Sequence, residues 1–167
     1  FVAPQEYVDL FDRELLPEPL GSAADLETKP EVLQQAHLKS YAGAARGFAE
    51  YSPEQIKDII VANYAMVSLI DDEVGRIVNR VHELGRDEGT LIIFTSDHGE
   101  MQGDHGILLK GPMMYEGAVH TPLILKWKDS LPTGQRVDEL VQWIDLNTTM
   151  LDAAGLEPLR GSQGMSL

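Results

Sequence analysis

Gly89-Thr90-Leu91-Ile92-Ile93-Phe94-Thr95-Ser96-Asp97-His98-Gly99-Glu100 is the stretch on which the fold turns. Leu91 to Thr95 form a short unbroken run rich in β-branched and aromatic residues, as expected of a strand buried on both faces. Just before it lies the clearest helix signal in the chain. Ser52 can cap that helix, Pro53 suits its first position, and Gln55 completes a capping box. Ile56, Ile60, Tyr64, Val67, Ile70, Val74, Ile77, Val81 and Leu84 then recur at gaps of three and four, which draws one apolar stripe. Gly85 can end the helix in a left-handed cap. Helix followed by buried strand predicts an α/β protein with a mostly parallel sheet flanked by helices.

Working outward, a second strand is expected at Pro122 to Trp127 and a weaker third at Glu139 to Trp143. Asp145 is then read as the cap of a short helix through Ala154, closed by Gly155. In the other direction, residues 1–50 show little periodicity. Pro4, Pro17, Pro19, Gly21 and Pro30 punctuate them, so they read as an irregular, surface-wrapping segment with short helical turns, extended near Leu16 to Leu20. Residues 51–167 read as the α/β portion of the same domain.

Composition narrows the function classes. The chain has 167 residues with 13 basic and 27 acidic side chains, a formal net charge of −14. Such a surface repels phosphate backbones and attracts cations, which argues against nucleic-acid binding. There is no cysteine, so disulfides, zinc ribbons and thiol chemistry are excluded within this chain. No apolar run approaches the ~20 residues needed to cross a bilayer. The compartment stays open.

In open α/β sheets, ligands bind beyond the carboxyl ends of strands, and Asp97 and His98 fall at that place. A carboxylate and an imidazole there can ligate a metal, or can be a turn former beside a solvated histidine. Asp104-His105-Gly106 repeats the same triplet and can equally be ordinary turn chemistry. Lys110 follows, either a surface lysine or the cation behind the cluster.

Ser96-Asp97-His98-Gly99-Glu100, Gly103-Asp104-His105-Gly106, Lys110, Tyr115-Glu116-Gly117 and Thr121-Pro122-Leu123-Ile124, in this order, resemble the C-terminal part of the sulfatase catalytic core. The sulfatase family belongs to the alkaline-phosphatase-like superfamily. The likeness reaches upstream through Tyr64-Ala65, Ile70-Asp71 and Val74-Gly75-Arg76. Downstream it extends to Asp145-Leu146 and Leu151-Asp152-Ala153-Ala154-Gly155. It implies an alkaline-phosphatase-like sandwich and a hydrolase of sulfuric ester bonds. The substrate would be a small-molecule or carbohydrate sulfate ester.

The resemblance also implies roles. Asp97 matches a carboxylate ligand of a single divalent cation, usually Ca2+, and His98 matches the neighbouring ligand. An imidazole ligand also suits Mn2+ or Zn2+. Lys110 matches the lysine that contacts the anionic group being cleaved. His105 and Glu100 match recurrent positions, and His105 is placed with Lys110 in the catalytic set without an assigned step. The family's nucleophile is a formylglycine made from Cys or Ser in a Cys/Ser-x-Pro/Ala-x-Arg signature that this chain lacks. The expectation is therefore a portion truncated at both ends, inactive alone and prone to self-association through uncovered apolar faces. A phosphodiesterase or phosphonate monoester hydrolase of the same superfamily is the nearest alternative. A non-catalytic cation-binding or interaction module is the other.

Overall fold

The structure, a computed structural model, describes residues 3–39, 46–110 and 113–167. Phe1, Val2 and residues 40–45 of the irregular N-terminal stretch lie outside the described residues. The helices are α1 (Gln5–Val8), α2 (Glu31–Leu38), α3 (Pro53–Glu83), α4 (Glu116–Val119) and α5 (Trp143–Ala153). Strands β1 (Ile92–Thr95) and β2 (Leu123–Lys126) pair in a two-stranded sheet. None of the described helices is long and apolar enough to cross a membrane. The chain divides into two compact units, Phe1–Leu84 with Phe94–Ile124, and Gly85–Ile93 with Leu125–Leu167.

The first unit is built on α3, and its start follows the sequence signals. The Ser52 hydroxyl accepts from the Gln55 amide at 3.3 Å, while the Gln55 side chain accepts from the Ser52 amide at 3.0 Å. Gly85 follows at φ 63°, the left-handed stop that the sequence predicts. The apolar stripe is covered only along its first part. Ile56, Ile60, Val61 and Ala65 are buried, whereas Val67, Ile70, Ile77 and Leu84 are exposed.

Two apolar clusters fill this unit. Leu26, Ala36, Met101, Ile107, Met113 and Ala118 form one. Ile56, Ile60 and Leu108 form the other, with Leu16, Phe48, Tyr51 and Leu109 against them. The N-terminal residues wrap onto α3 at several points. Tyr7 donates to Asp72 at 2.8 Å, Phe11 meets Tyr64 edge-on, and Arg13 pairs with Glu54 at 3.0 Å. Among the described residues this stretch is broken into short helical turns.

The second unit differs from expectation at one place. Residues Glu139 to Gln142 form no strand, and Trp143 opens α5 instead of closing a strand. Gln142 is the N-cap and Asp145 stands at N3, its carboxylate accepting from the Gln142 amide at 2.7 Å. Asp145, expected as the cap, is thus the N3 partner of the capping box. Gly89, Leu91, Ile93, Trp127, Met150, Ala153 and Ala154 line an open hollow of about 490 Å³ here. Its lining is apolar and holds no carboxylate or imidazole, the groups a hard divalent cation or a proton transfer would need.

Candidate active site

β1 ends at Thr95 and delivers Ser96-Asp97-His98 at its carboxyl end. Local hydrogen bonds then fix the turn. The Ser96 hydroxyl donates to the His98 carbonyl at 2.8 Å, and the His98 amide donates to Asp97 Oδ1 at 3.1 Å. Gly99 donates its amide to the Ala118 carbonyl at 2.8 Å. A Cβ at Gly99 would collide with the Gly117 carbonyl oxygen and lie 3.0 Å from its carbon. Only glycine lets these two backbone segments approach so closely.

That turn gives His98 a defined ring orientation. Nδ1 lies 2.8 Å from the Gly99 carbonyl, an acceptor only, so Nδ1 carries the proton. The lone pair then resides on Nε2, which sits 3.5 Å from Asp97 Oδ2. Fixing one imidazole nitrogen through a backbone carbonyl is the usual way of presenting the other to a metal. Two ligand atoms each ~2.1–2.5 Å from one cation lie roughly 3.0–4.1 Å apart at octahedral or tetrahedral angles. The Asp97–His98 pair therefore fits a shared cation. The pair supplies two ligands, and no group of three or more His, Cys, Asp or Glu converges among the described residues. Asp97 is exposed and His98 partly so, which leaves both open to a ligand.

From Glu100 the chain makes a tight loop. Its neck is closed by the Met101 amide on the Leu109 carbonyl at 3.3 Å and the Gly103 amide on the Ile107 carbonyl at 2.9 Å. Lys110 leaves that neck exposed to solvent. Its ammonium can neutralise an anion without the bidentate geometry an arginine would impose.

His105 occupies the far end of the loop, where Nδ1 donates to Asp25 Oδ2 at 2.8 Å. Its ring stacks on Tyr115 with centroids 4.4 Å apart. That hydrogen bond, followed by one from the Ser22 amide, holds the Asp25 carboxyl below its ordinary range. Sequence reading missed Asp25. Its only local trace is Ser22-Ala23-Ala24-Asp25, a capping-box pattern behind the left-handed Gly21.

Comparison with known proteins agrees with this architecture. The sulfatase family profile matches residues 29–156. The chain belongs to the sulfatase family. The arylsulfatase of Clostridium perfringens is 30% identical over 168 residues, covering 98% of this chain and 33% of that protein. Arylsulfatase K of Xenopus laevis is 35% identical over 119 residues, covering 71% of this chain and 22% of that protein. Among solved structures, the phosphonate monoester hydrolase of Silicibacter pomeroyi is 30% identical with a TM-score of 0.85, covering 99% of this chain and 33% of that one. The phosphonate monoester hydrolase of Agrobacterium radiobacter is 28% identical with a TM-score of 0.83, covering 98% and 34%. This sulfatase-family chain thus spans about a fifth to a third of the length of its relatives. Its fold is part of the α/β alkaline-phosphatase-like architecture.

Proposed function

We propose that this sulfatase-family chain supplies the cation-binding and anion-binding part of a centre that hydrolyses sulfate esters. The observation that carries the proposal is the Asp97–His98 pair at the end of β1, with the Nδ1 proton held by Gly99 and Nε2 directed at Asp97 Oδ2. Asp97 Oδ2 and His98 Nε2 would hold a divalent cation, Ca2+ by the family pattern and Mn2+ or Zn2+ by the preference of imidazole. Such an ion, when bound, supplies positive charge where the ester oxygens become more negative. Lys110 would place its ammonium against a non-bridging oxygen of the same anion. Gly99 keeps the ligand-bearing turn seated against residues 117–118. The chain has no cysteine and no serine in the family's nucleophile pattern, so by itself it is expected to be inert.

A phosphonate monoester is the second reading. It draws support from the two phosphonate monoester hydrolases whose structures match nearly all of this chain. The nitrogen at His98 suits a cation softer than calcium with either ester.

The test is hydrolysis of nitrophenyl sulfate and nitrophenyl phenylphosphonate by the complete protein, with and without added calcium or manganese. Asp97→Ala should lower turnover by roughly 100-fold or more and weaken metal affinity measured by calorimetry. Lys110→Ala should lower turnover of anionic esters by a similar factor while leaving the unfolding midpoint unchanged. Wild-type rates in either variant would remove that residue from the site. Faster phosphonate cleavage would move the substrate to the second reading.

A further inference from the structure

The loop from Met101 to Leu109 is strained in a way its own sequence does not relieve. Five of its residues have left-handed backbones: Gln102, Gly103, His105, Gly106 and Leu109, with φ between 50° and 103°. Three of these carry a Cβ, and each such residue costs on the order of 1 kcal/mol. Conformations of this kind persist where surrounding structure over-determines them.

Residues 19–37 provide that surrounding structure. The Leu20 amide donates to Asp104 Oδ1 at 2.7 Å, and the His105 amide donates to the Leu20 carbonyl at 2.7 Å. His37 Nδ1 lies 2.7 Å from the Gly106 carbonyl. Asp25 accepts from His105, and Gly21 has no Cβ, which would otherwise collide with both partners. A side chain at Gly103 would press on Pro19, and one at Gly106 on Ala23. Beneath these polar ties, Met101 and Ile107 enter one apolar cluster with Leu26 and Ala36. The next residue, Leu108, enters the other, against Ile56 and Ile60. One residue is therefore enough to turn the loop from one core to the other, just before Lys110.

We propose that residues 19–37 act as a strap that sets the position of Lys110, with Asp25 as a positioning residue acting through His105. The proposal rests on the reading of Lys110 as the anion-binding ammonium. Asp25 itself touches no reacting group. It fixes the His105 ring between its carboxylate and Tyr115. His105 in turn holds the loop in the one arrangement that brings the Lys110 neck together.

The experiment uses the complete protein. Amide hydrogen exchange over residues 101–109 is compared in wild type, Asp25→Ala and Ser22→Ala. The last removes the hydroxyl that caps the short turn Ala23–Leu26 but leaves the Asp25–His105 pair in place. Exchange should rise about tenfold in Asp25→Ala and stay near wild type in Ser22→Ala. Turnover of an anionic ester should fall roughly tenfold in Asp25→Ala, mainly in kcat. The same substitution in a Lys110→Ala background should cost less than about twofold, because the group being positioned is gone. Should Asp25→Ala fail to fold, Asp25→Asn, which keeps the shape and loses the charge, should move both readouts the same way by less.

Unchanged exchange in the Asp25 variants overturns the strap, whatever the chemistry of the site. Equal losses of turnover with and without Lys110 also overturn it, since Asp25 would then act elsewhere. A fully active Lys110→Ala overturns the reading of Lys110 itself and leaves the exchange comparison to decide the strap.

Discussion

The loop after β1 and the C-terminal stretch around α5 use the same parts to different ends. Each is organised by an aspartate at N3 of a capping box that also reaches a distant group. Asp25 accepts from Ser22 nearby and from His105, 80 residues away. Asp145 accepts from Gln142 nearby and from the Met165 amide, 20 residues away. Each region also has a glycine pressed against backbone, Gly99 on Gly117 and Gly164 on Ile144. The regions part company in backbone strain. From Trp143 to Leu167 the left-handed positions are Gly155 and Gly161, residues that bear them at no steric cost. The loop places a glutamine, a histidine and a leucine in that region. Strain is concentrated where the proposed chemistry lies, and the C-terminal stretch, built from equivalent devices, carries none.

The two pressed glycines offer the harshest way to break this comparison. Gly99→Ala and Gly164→Ala each drive a methyl into backbone and should each cost about 3 kcal/mol of stability by denaturant unfolding. Only Gly99→Ala should also abolish ester hydrolysis in the complete protein, because it displaces the Asp97–His98 turn. Gly155→Ala meets nothing within 4 Å and bears only its left-handed backbone. It should cost about 1 kcal/mol and leave activity alone. Equal loss of activity at Gly99 and Gly164 would mean that the loop has no special claim to the site.

A gentler probe is acid. Backbone donors from Met165, then Gln142, hold the Asp145 carboxyl below its ordinary range, as His105 and then Ser22 do for Asp25. A carboxylate whose native pKa is lowered contributes fully above its unfolded value, ~3.9, and loses that contribution as pH falls through the native value. The unfolding deficit of Asp145→Asn should therefore be constant near neutrality and shrink below about pH 4. The deficit of Asp25→Asn should follow the same course, but the loop amides rather than the C-terminal ones should report it. A deficit that grew on acidification would reverse the sign of both assignments.

How much of this was legible in the sequence depends on how far each interaction reaches. The limits of α3 rest on Ser52, Pro53, Gln55 and Gly85, all within a turn of the ends they define, and the apolar gaps between them are periodic. β1 and β2 show as short apolar runs. Placing a strand at Glu139 to Trp143 failed because Gln142 is a less familiar cap than Asp145, and Trp143 suits a strand or a helix start equally well. The adjacent pair Asp97 and His98 was visible as a pair, although the ring orientation imposed by the Gly99 carbonyl was not. Asp25 left only a local capping-box pattern, which carries no sign of His105. A bond spanning 80 residues has no period, and the contacts that Tyr115 and His37 make with the loop show only in the fold.

The smallest expected effect asks whether the strain in the loop is physical. Gln102→Gly removes a left-handed penalty of about 1 kcal/mol, while the added freedom of the unfolded chain costs 0.4 to about 1 kcal/mol. The two nearly cancel, and the variant should unfold within about 0.5 kcal/mol of wild type. Ala153→Gly in the last turn of α5 has no penalty to recover and should lose about 1 kcal/mol. If both glycines cost the same, Gln102 does not hold a left-handed backbone in solution, and the ties from Leu20, Asp25 and His37 restrain a loop that needs no restraint. If Gln102→Gly is neutral and loop exchange also stays slow, the ties alone keep the neck closed. The strain at Gln102 is then a consequence of the strap rather than something the site requires.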